Sequence, residues 1–143
     1  MTTVRVTRRV HFSAAHRLHN PEWSEERNAE VFGEDAGANF HGHNYELEVT
    51  VEGPIRRDTG YVVDLAWLKE LIQERVVNEL DHRNLNLDVP WLQGVQPSME
   101  NLVVEIWERL KGHLPEGVGL ARLLLRETPR NWVEYEGGTE AML

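Results

Sequence analysis

Two segments in which apolar and polar residues alternate, each carrying histidine at one end, constrain the fold of this chain most. In residues 41–52 the odd positions carry two histidines and then Tyr, Leu and Val, whereas the even positions are Gly or polar. In residues 4–14 the even positions are apolar apart from Arg8, and the same parity leads on to His16. Residues two apart share one face of a strand. We therefore predict two half-buried strands, with His16, His41 and His43 on their sheltered faces.

Three histidines that converge in this way predict a metal centre. Three neutral imidazole nitrogens leave a tetrahedral Zn2+ ion one open position, which is typical of catalytic rather than structural zinc sites. The alternative is that His16, His41 and His43 are ordinary hydrogen-bonded core residues, and imidazoles also accept other divalent ions. The other histidines lack the shared parity and are predicted to lie at the surface or around the site: His11, His19 and His113.

Composition excludes several classes of protein. The 143 residues fit a single domain, 1–143, that is large enough to bury a core. The absence of cysteine rules out disulfides, thiolate ligands and a cysteine nucleophile. No apolar run approaches the roughly 20 residues of a membrane helix, and the N-terminus lacks the apolar core of a signal peptide. A cytoplasmic location without membrane contact is the resulting expectation.

The formal net charge of −9 disfavours nonspecific binding to nucleic acid or to anionic membranes. A polyanionic ligand would therefore need a local basic pocket that overrides the overall field. The nearby candidates for such a pocket are Arg17, Arg83 and Arg130, and the alternative is that each is a surface charge.

The order of predicted elements is ββααββ, which indicates an α+β fold with a four-stranded antiparallel sheet and two helices on one face. The strands cover 4–14, 41–52, 121–127 and 132–136, and the helices follow Asp64 and Ser98 as N-caps. Residues 20–40 are predicted to be a long functional loop with a short turn, and 137–143 a disordered end. The open edge strands of such a sheet invite pairing between subunits.

Two further places carry candidate chemistry. Asp81 and His82 follow a helix directly, where the carboxylate could orient the imidazole as a general acid or base. The alternative is a turn-capping aspartate beside a surface histidine. Glu127 shares the sheltered parity of its strand, where an unpaired carboxylate is costly. It could bind a guanidine-like ligand edge in bidentate fashion, or pair internally with an arginine.

Over nearly its whole length the chain resembles the family of 6-pyruvoyl-tetrahydropterin synthases and 6-carboxy-tetrahydropterin synthases. The resemblance depends on four motifs in the same order and at matching spacing. They are Phe12-Ser13-Ala14-Ala15-His16, His41-Gly42-His43-Asn44-Tyr45, Leu80-Asp81-His82-Arg83-Asn84-Leu85 and Glu127-Thr128.

The resemblance implies the tunnelling fold (T-fold), in which subunits join their sheets edge to edge into a barrel. It also implies a homohexamer built as a dimer of trimers, with active sites at subunit interfaces. By the same comparison, zinc is held by His16, His41 and His43, and Glu127 anchors the 2-amino-pyrimidinone edge of a pterin. Ser98 and Glu100 match a segment that lines the pterin pocket, and Asp81 and His82 match the proton-relay pair.

One departure from the family pattern concerns the catalytic base. Family members that make the pyruvoyl or carboxy product typically carry a cysteine in the loop before the His-x-His motif. Aligning Phe32-Gly33 and the two histidines places Asp35 at that position, next to Glu34. A carboxylate is a much weaker base than a thiolate unless burial raises its pKa. In a subgroup that has glutamate there, the enzyme cleaves the side chain to 6-hydroxymethyl-dihydropterin for folate synthesis.

These observations predict a zinc-dependent lyase of pterin biosynthesis, acting on the side chain of 7,8-dihydroneopterin triphosphate or a relative. Asp35 or Glu34 would replace the thiol, and His82 with Asp81 would move protons. The alternatives are side-chain cleavage without cysteine, a noncatalytic pterin-binding zinc protein, and a hydrolase that uses zinc-bound hydroxide. The sequence leaves open whether the product serves the biopterin, queuosine or folate pathway.

Overall fold

Residues 2–138, which the computed structural model describes, form one sheet with strand order β3-β1-β2-β4-β5. The strands are β1 (Thr3–His16), β2 (His41–Pro54), β3 (Arg83–Asn84), β4 (Gly119–Thr128) and β5 (Asn131–Tyr135). The helices are α1 (Glu25–Phe32), α2 (Leu65–Ile72), α3 (Asn78–Leu80) and α4 (Met99–Leu110). Short 3-10 turns cover Gly33–Ala36 and Pro90–Leu92.

The long β1–β2 pair is the part of the fold that positions the histidines. The two strands run antiparallel in unbroken register, with His16 opposite His41 and Ala14 opposite His43. Apolar residues at alternate positions of β2 and β4 are almost completely buried, and in β1 Phe12 and Ala14 are buried whereas Val4 is exposed. The period-two pattern of the sequence therefore determines which face of the sheet the histidines occupy.

The helices cover the same face of the sheet. Their apolar stripes pack in one cluster with the strands, and the stripe consists of Leu68, Ile72, Val76, Leu80, Leu102, Ile106 and Leu110. Asp64 caps α2 through the Ala66 N–H, and Ser98 caps α4 through the Asn101 N–H. A π-helical turn, Gln73–Val77, joins α2 to α3, and Arg75 and Arg109 each donate through Nε to the other's backbone carbonyl there, at 3.0 and 3.1 Å.

The structure adds two elements to the predicted ones. The sheet of residues 2–138 has five strands instead of four, because β3 pairs in parallel with Ala14 and Ala15. A strand of two residues carries no periodicity that a sequence pattern could reveal. In the predicted loop, α1 forms because Ser24 caps it, and the Trp23 and Phe32 rings stack at 5.8 Å. Its low hydrophobicity concealed it from pattern analysis.

At the C-terminus, residues 137 and 138 continue beyond β5 without regular structure. The rest of the predicted disordered end, 139–143, lies outside the described residues. Between residues 2 and 138, the helices all fall short of the length and apolarity needed to cross a membrane.

Candidate metal centre

The three predicted histidines come together at the end of the β1–β2 pair. His16 closes β1, and His41 and His43 open β2 on the same face of the sheet. The ring centroids lie 4.6 to 5.0 Å apart, and one nitrogen from each ring falls within 4.8 Å of the others. Three nitrogens at this spacing can bind a single metal ion.

The hydrogen bonds and burial of these rings fit a metal ion. His16 is 2% exposed, and its Nδ1 lies 2.7 Å from the Pro97 carbonyl oxygen, to which it donates as N–H. That bond leaves Nε2 with a free lone pair, and the Nε2 atoms of His16 and His43 are buried with no hydrogen-bond partner in the described part of the chain. Burial lowers the pKa of both imidazoles, which favours the neutral form that metals bind.

Asp35 lies at the open side of the histidine cluster. Its Oδ1 is 3.7 Å from His41 Nε2, and its side chain is 58% exposed. The 3-10 turn that carries it is held by a hydrogen bond from the Leu18 N–H to the Asp35 carbonyl oxygen, at 2.8 Å. Glu34 is also exposed and, within residues 2–138, forms no ion pair. The structure therefore brings Asp35, rather than Glu34, to the histidines.

Glu127 lies at the end of β4, beside the histidines. Its Oε1 is 3.4 Å from His43 Nε2, and the two atoms do not form a hydrogen bond. Burial raises the pKa of Glu127, and the Asp35 and Glu100 carboxylates raise it further, while the neighbouring His16 and His41 imidazoles oppose this. No arginine pairs with Glu127 in the described region, which favours the ligand-binding alternative over the internal pair.

Two residues that the sequence analysis did not single out also belong to this site. Pro97 supplies the carbonyl that fixes the His16 tautomer. Tyr45 lies under the histidines, with its ring centroid 5.6 Å from that of His43, and its buried hydroxyl has no partner among residues 2–138. Burial, with Glu127 nearby, raises the pKa of the Tyr45 hydroxyl. Tyr45 is two residues from His43, which places both on one face of β2, and this spacing could have identified Tyr45 from the sequence.

Ser98 and Glu100 lie at the start of α4, next to Pro97. The Ser98 hydroxyl accepts the Asn101 N–H at 3.2 Å, so its lone pair serves the helix cap. Glu100 lies in the first turn, exposed, and close enough to Glu127 to influence its pKa. Their position at the rim of the histidine cluster is compatible with the predicted pocket lining.

Asp81 and His82 form a close pair directly before β3, at the edge of the sheet. The Ser13 N–H donates to Asp81 Oδ1 at 2.9 Å, and His82 Nδ1 lies 2.9 Å from Asp81 Oδ2. The bond from Ser13, together with His82, lowers the pKa of Asp81. His82 is 84% exposed and lines an open groove of about 530 Å3 together with Ser13, His43 and Asn44. The pair is therefore not part of the group of nitrogens that converges at the metal site.

The three arginines that the sequence suggested for a basic pocket lie in different surroundings. Arg17 follows His16, and its guanidinium lies 5.8 Å from the centroid of the Phe40 ring. Arg83 lines the groove beside His82, whereas Arg130 is exposed in the β4–β5 turn. None of the three is in contact with the histidine nitrogens. The other histidines, His11, His19 and His113, also lie outside the cluster.

Comparisons with known proteins agree with this arrangement. The family model described as 6-pyruvoyl tetrahydropterin synthase matches residues 5–138. The 6-pyruvoyl tetrahydrobiopterin synthase of Pongo abelii is 46% identical over 132 residues, which cover 92% of this chain and 90% of that protein. The dihydroneopterin monophosphate aldolase of Pyrococcus furiosus is 39% identical over 132 residues, covering 92% and 96%. The structure of Caenorhabditis elegans 6-pyruvoyl tetrahydropterin synthase superposes with a TM-score of 0.89 at 37% identity, covering 96% and 98%.

Proposed function

This chain belongs to the 6-pyruvoyl tetrahydropterin synthase family, and on that premise we propose that it is a zinc-dependent lyase of pterin biosynthesis. Its substrate is 7,8-dihydroneopterin triphosphate or a close relative, and the reaction takes place on the pterin side chain. Family membership confirms the resemblance that the four motifs indicated. The superposition on the Caenorhabditis elegans structure confirms the expected fold.

The proposal rests on the grouping of three kinds of chemical group in one place: a histidine cluster and two carboxylates beside it. The imidazoles of His16, His41 and His43 form a metal-binding cluster, Asp35 lies 3.7 Å from His41, and Glu127 lies 3.4 Å from His43. A pterin side chain needs a Lewis acid for its hydroxyls, a base for its protons and an anchor for the ring. This site offers a group for each requirement.

Each residue has a defined role in the proposed reaction. A zinc ion held by the three histidines would supply Lewis-acid polarisation of the side-chain oxygens. The Glu127 carboxylate accepts two N–H groups from the 2-amino-pyrimidinone edge, which fixes the ring. The Asp35 carboxylate removes a proton from the side chain. Ser98 and Glu100 line the pocket at the first turn of α4.

Asp81 and His82 would join this site from a second subunit. Within one chain, His82 lines the same open groove as His43 but is not among the nitrogens that converge at the metal site. In a homohexamer built as a dimer of trimers, active sites at subunit interfaces would bring His82 of one protomer to the metal centre of another. His82, oriented by the Asp81 carboxylate, then shuttles the side-chain proton.

Side-chain cleavage to 6-hydroxymethyl-dihydropterin is the second candidate reaction. The chain has no cysteine, so a carboxylate is the only acidic side chain at the base position. The Pyrococcus furiosus relative, an aldolase by name, is similar over 92% of the chain. Cleavage of a carbon-carbon bond requires removal of a hydroxyl proton, which is less demanding for a weak base than removal of a carbon-bound proton.

Product analysis distinguishes the two reactions. The zinc-loaded protein is incubated with 7,8-dihydroneopterin triphosphate, and in parallel with the monophosphate, and products are identified by mass spectrometry. A pyruvoyl product with release of triphosphate supports the synthase reaction, and 6-hydroxymethyl-dihydropterin supports cleavage. If tight pterin binding occurs with stoichiometric metal and neither product forms, the enzymatic proposal is wrong and the noncatalytic alternative replaces it.

Glu127→Gln tests the pterin anchor. The amide presents one N–H to the donors of the ring edge, so a bidentate pair is lost and a donor clash is created. We expect kcat/KM to fall about a hundredfold, mainly through KM, as for a substrate whose hydrogen-bonding partner is mismatched. Steady-state kinetics with the accepted pterin measure this. Glu108→Gln, on the exposed part of α4 and paired with Lys111, is the control, and a KM unchanged by Glu127→Gln would contradict the anchor.

Charge on the outward face of the sheet supports self-association. On this face, neighbouring strands carry charges of opposite sign: β1 and β4 carry arginines, and β2 and β5 carry glutamates. Ion pairs join them, such as Arg9–Glu48 at 3.3 Å and Arg122–Glu134 at 2.6 Å. The sheet consequently ends in arginines at the β1 edge and in Glu134 at the β5 edge. Within residues 2–138, β3 covers only Ala14 and Ala15 of β1. Edge-to-edge pairing of copies would continue the alternation of charge.

Reversing the charge at one edge tests this self-association. We expect Arg5→Glu with Arg9→Glu to weaken the oligomer at least about tenfold, because like charges then face one another across the seam. Sedimentation velocity at low salt over a range of protein concentrations measures the dissociation constant. Arg57→Glu, an exposed residue away from the seam, is the control for net charge. Unchanged assembly in the double variant would contradict the seam.

A further inference from the structure

Two side-chain amides hold the segment that follows His16. The Arg17 N–H donates to Asn86 Oδ1 at 2.9 Å, and Asn86 Nδ2 donates back to the Arg17 carbonyl at 3.0 Å. Two residues further on, the His19 N–H donates to Gln96 Oε1 at 3.1 Å, and Gln96 Nε2 donates to the His19 carbonyl at 2.7 Å. Each amide thus uses both its donor and its acceptor on one backbone residue.

This arrangement extends β1 beyond its last ladder residue. In a strand, the backbone groups of alternate residues point to the same side, and Arg17 and His19 turn theirs towards the β3 side, where Leu85 bonds Ala15 at 2.8 Å. Asn86 and Gln96 take the place that a neighbouring strand would have. Leu18 must then point its backbone groups to the opposite side.

The opposite side is where Asp35 lies. The Leu18 N–H donates to the Asp35 carbonyl oxygen at 2.8 Å. Residues 17–19, which the two amides hold, therefore bind the turn that contains Asp35, the proposed base. Gln96 is itself tied to α4, because Asn101 Nδ2 donates to the Gln96 carbonyl at 3.0 Å. A chain of hydrogen bonds therefore runs from α4 through Gln96 and residues 17–19 to Asp35.

We propose that Gln96 is a positioning residue for Asp35, acting through residues 17–19. The inference rests on the proposed role of Asp35 as the base. His16 and His41 pair across the β1–β2 ladder, and His16 also bonds the backbone carbonyl of Pro97. The metal cluster therefore makes no bond to the Gln96 side chain. Loss of the amide releases the base turn and leaves the cluster intact, and small displacements of a catalytic group reduce turnover strongly.

Gln96→Met is the direct test, since it keeps the length of the side chain and removes both hydrogen bonds. We expect kcat to fall at least about tenfold with KM and zinc affinity within about twofold, because only the base is displaced. Gln96→Glu keeps the acceptor for the His19 N–H and loses the donor, and we expect a smaller loss of kcat. Gln73→Met, which likewise removes a side-chain amide that bonds Asn78 and not residues 17–19, is the matched control.

Hydrogen exchange supplies a measurement that does not depend on activity. In the zinc-loaded Gln96→Met protein, we expect the Leu18 amide proton to exchange at least about tenfold faster, while β1 amides bonded to β2 keep their protection. Unchanged Leu18 exchange with kcat within about twofold of wild type would contradict the positioning role. If wild-type protein shows no turnover at all, the proposed function is wrong, and the exchange result still decides whether Gln96 holds the Asp35 turn.

Discussion

Asp35→Asn is expected to lower turnover by about a thousandfold or more while zinc affinity stays within about threefold, since general-base catalysis contributes 10² to 10⁴ in rate. The amide is nearly isosteric with the carboxylate but does not accept a proton. The Asp35 side chain is exposed and forms no hydrogen bond in residues 2–138, so the substitution does not disturb packing. Single-turnover kinetics with the accepted pterin, together with a chelator competition for zinc, measure both quantities.

Glu34→Gln is the matched control for this experiment. Glu34 is adjacent, exposed and acidic, but it forms no ion pair with the histidines among the described residues. We expect Glu34→Gln to retain turnover within about threefold of wild type, because surface substitutions away from a site have small effects. The reverse result, with Glu34→Gln inactive and Asp35→Asn active, would assign the base to Glu34 and reject the alignment that places Asp35 at the cysteine position.

His41→Ala is expected to lower zinc affinity by more than about a hundredfold. Removing a residue that only supports a metal ligand costs up to about a hundredfold, and removing a ligand itself should cost more. His41 is the most accessible of the three histidines whose nitrogens converge, so its removal leaves a small cavity. The backbone of His41 stays paired with His16 in the β1–β2 register. We expect turnover to fall in parallel with zinc content, and excess zinc to restore it partly.

His113→Ala provides the comparison for metal binding. His113 is exposed beyond the end of α4, far from the cluster in the fold. Metal content by mass spectrometry and competition titration with a chromophoric chelator measure the affinity of both variants. Equal zinc affinity in His41→Ala and wild type would contradict the assignment of His41 as a ligand. A large loss in His113→Ala as well would show that zinc binds elsewhere on the protein.

The β1–β2 half of the fold was predictable because its signal is local. Alternation over more than ten residues fixes which side chains share a face, and burial of Tyr45, Leu47 and Val49 agrees with the predicted parity. The same parity placed the histidines together, as the structure has them. Their burial and the orphaned Nε2 atoms are consequences of core packing, which no local pattern expresses.

Two elements, α1 and β3, depend on a helix cap and on tertiary contacts, and the hydrophobic pattern of the sequence did not predict them. The mostly polar sequence of helix α1 predicts a loop. The helix is stabilised by its cap Ser24, by the stacked rings of Trp23 and Phe32, and by buried Asn28. The two residues of β3 are too few for any period. Both elements depend on partners that the chain reaches only after folding.

Strand periodicity acts between neighbouring residues, so it was enough to predict the α+β class, the two long strands and the common face of His16, His41 and His43. Folding of the whole chain was needed to bring Asp35, rather than Glu34, to the histidines, and to place Asp81 and His82 at the β3 edge, outside the group of converging nitrogens. These outcomes depend on hydrogen bonds between segments 68 to 81 residues apart, such as Ser13 to Asp81 and His16 to Pro97. The geometry of such contacts is fixed by the packing of the whole chain and not by the spacing of residues along it.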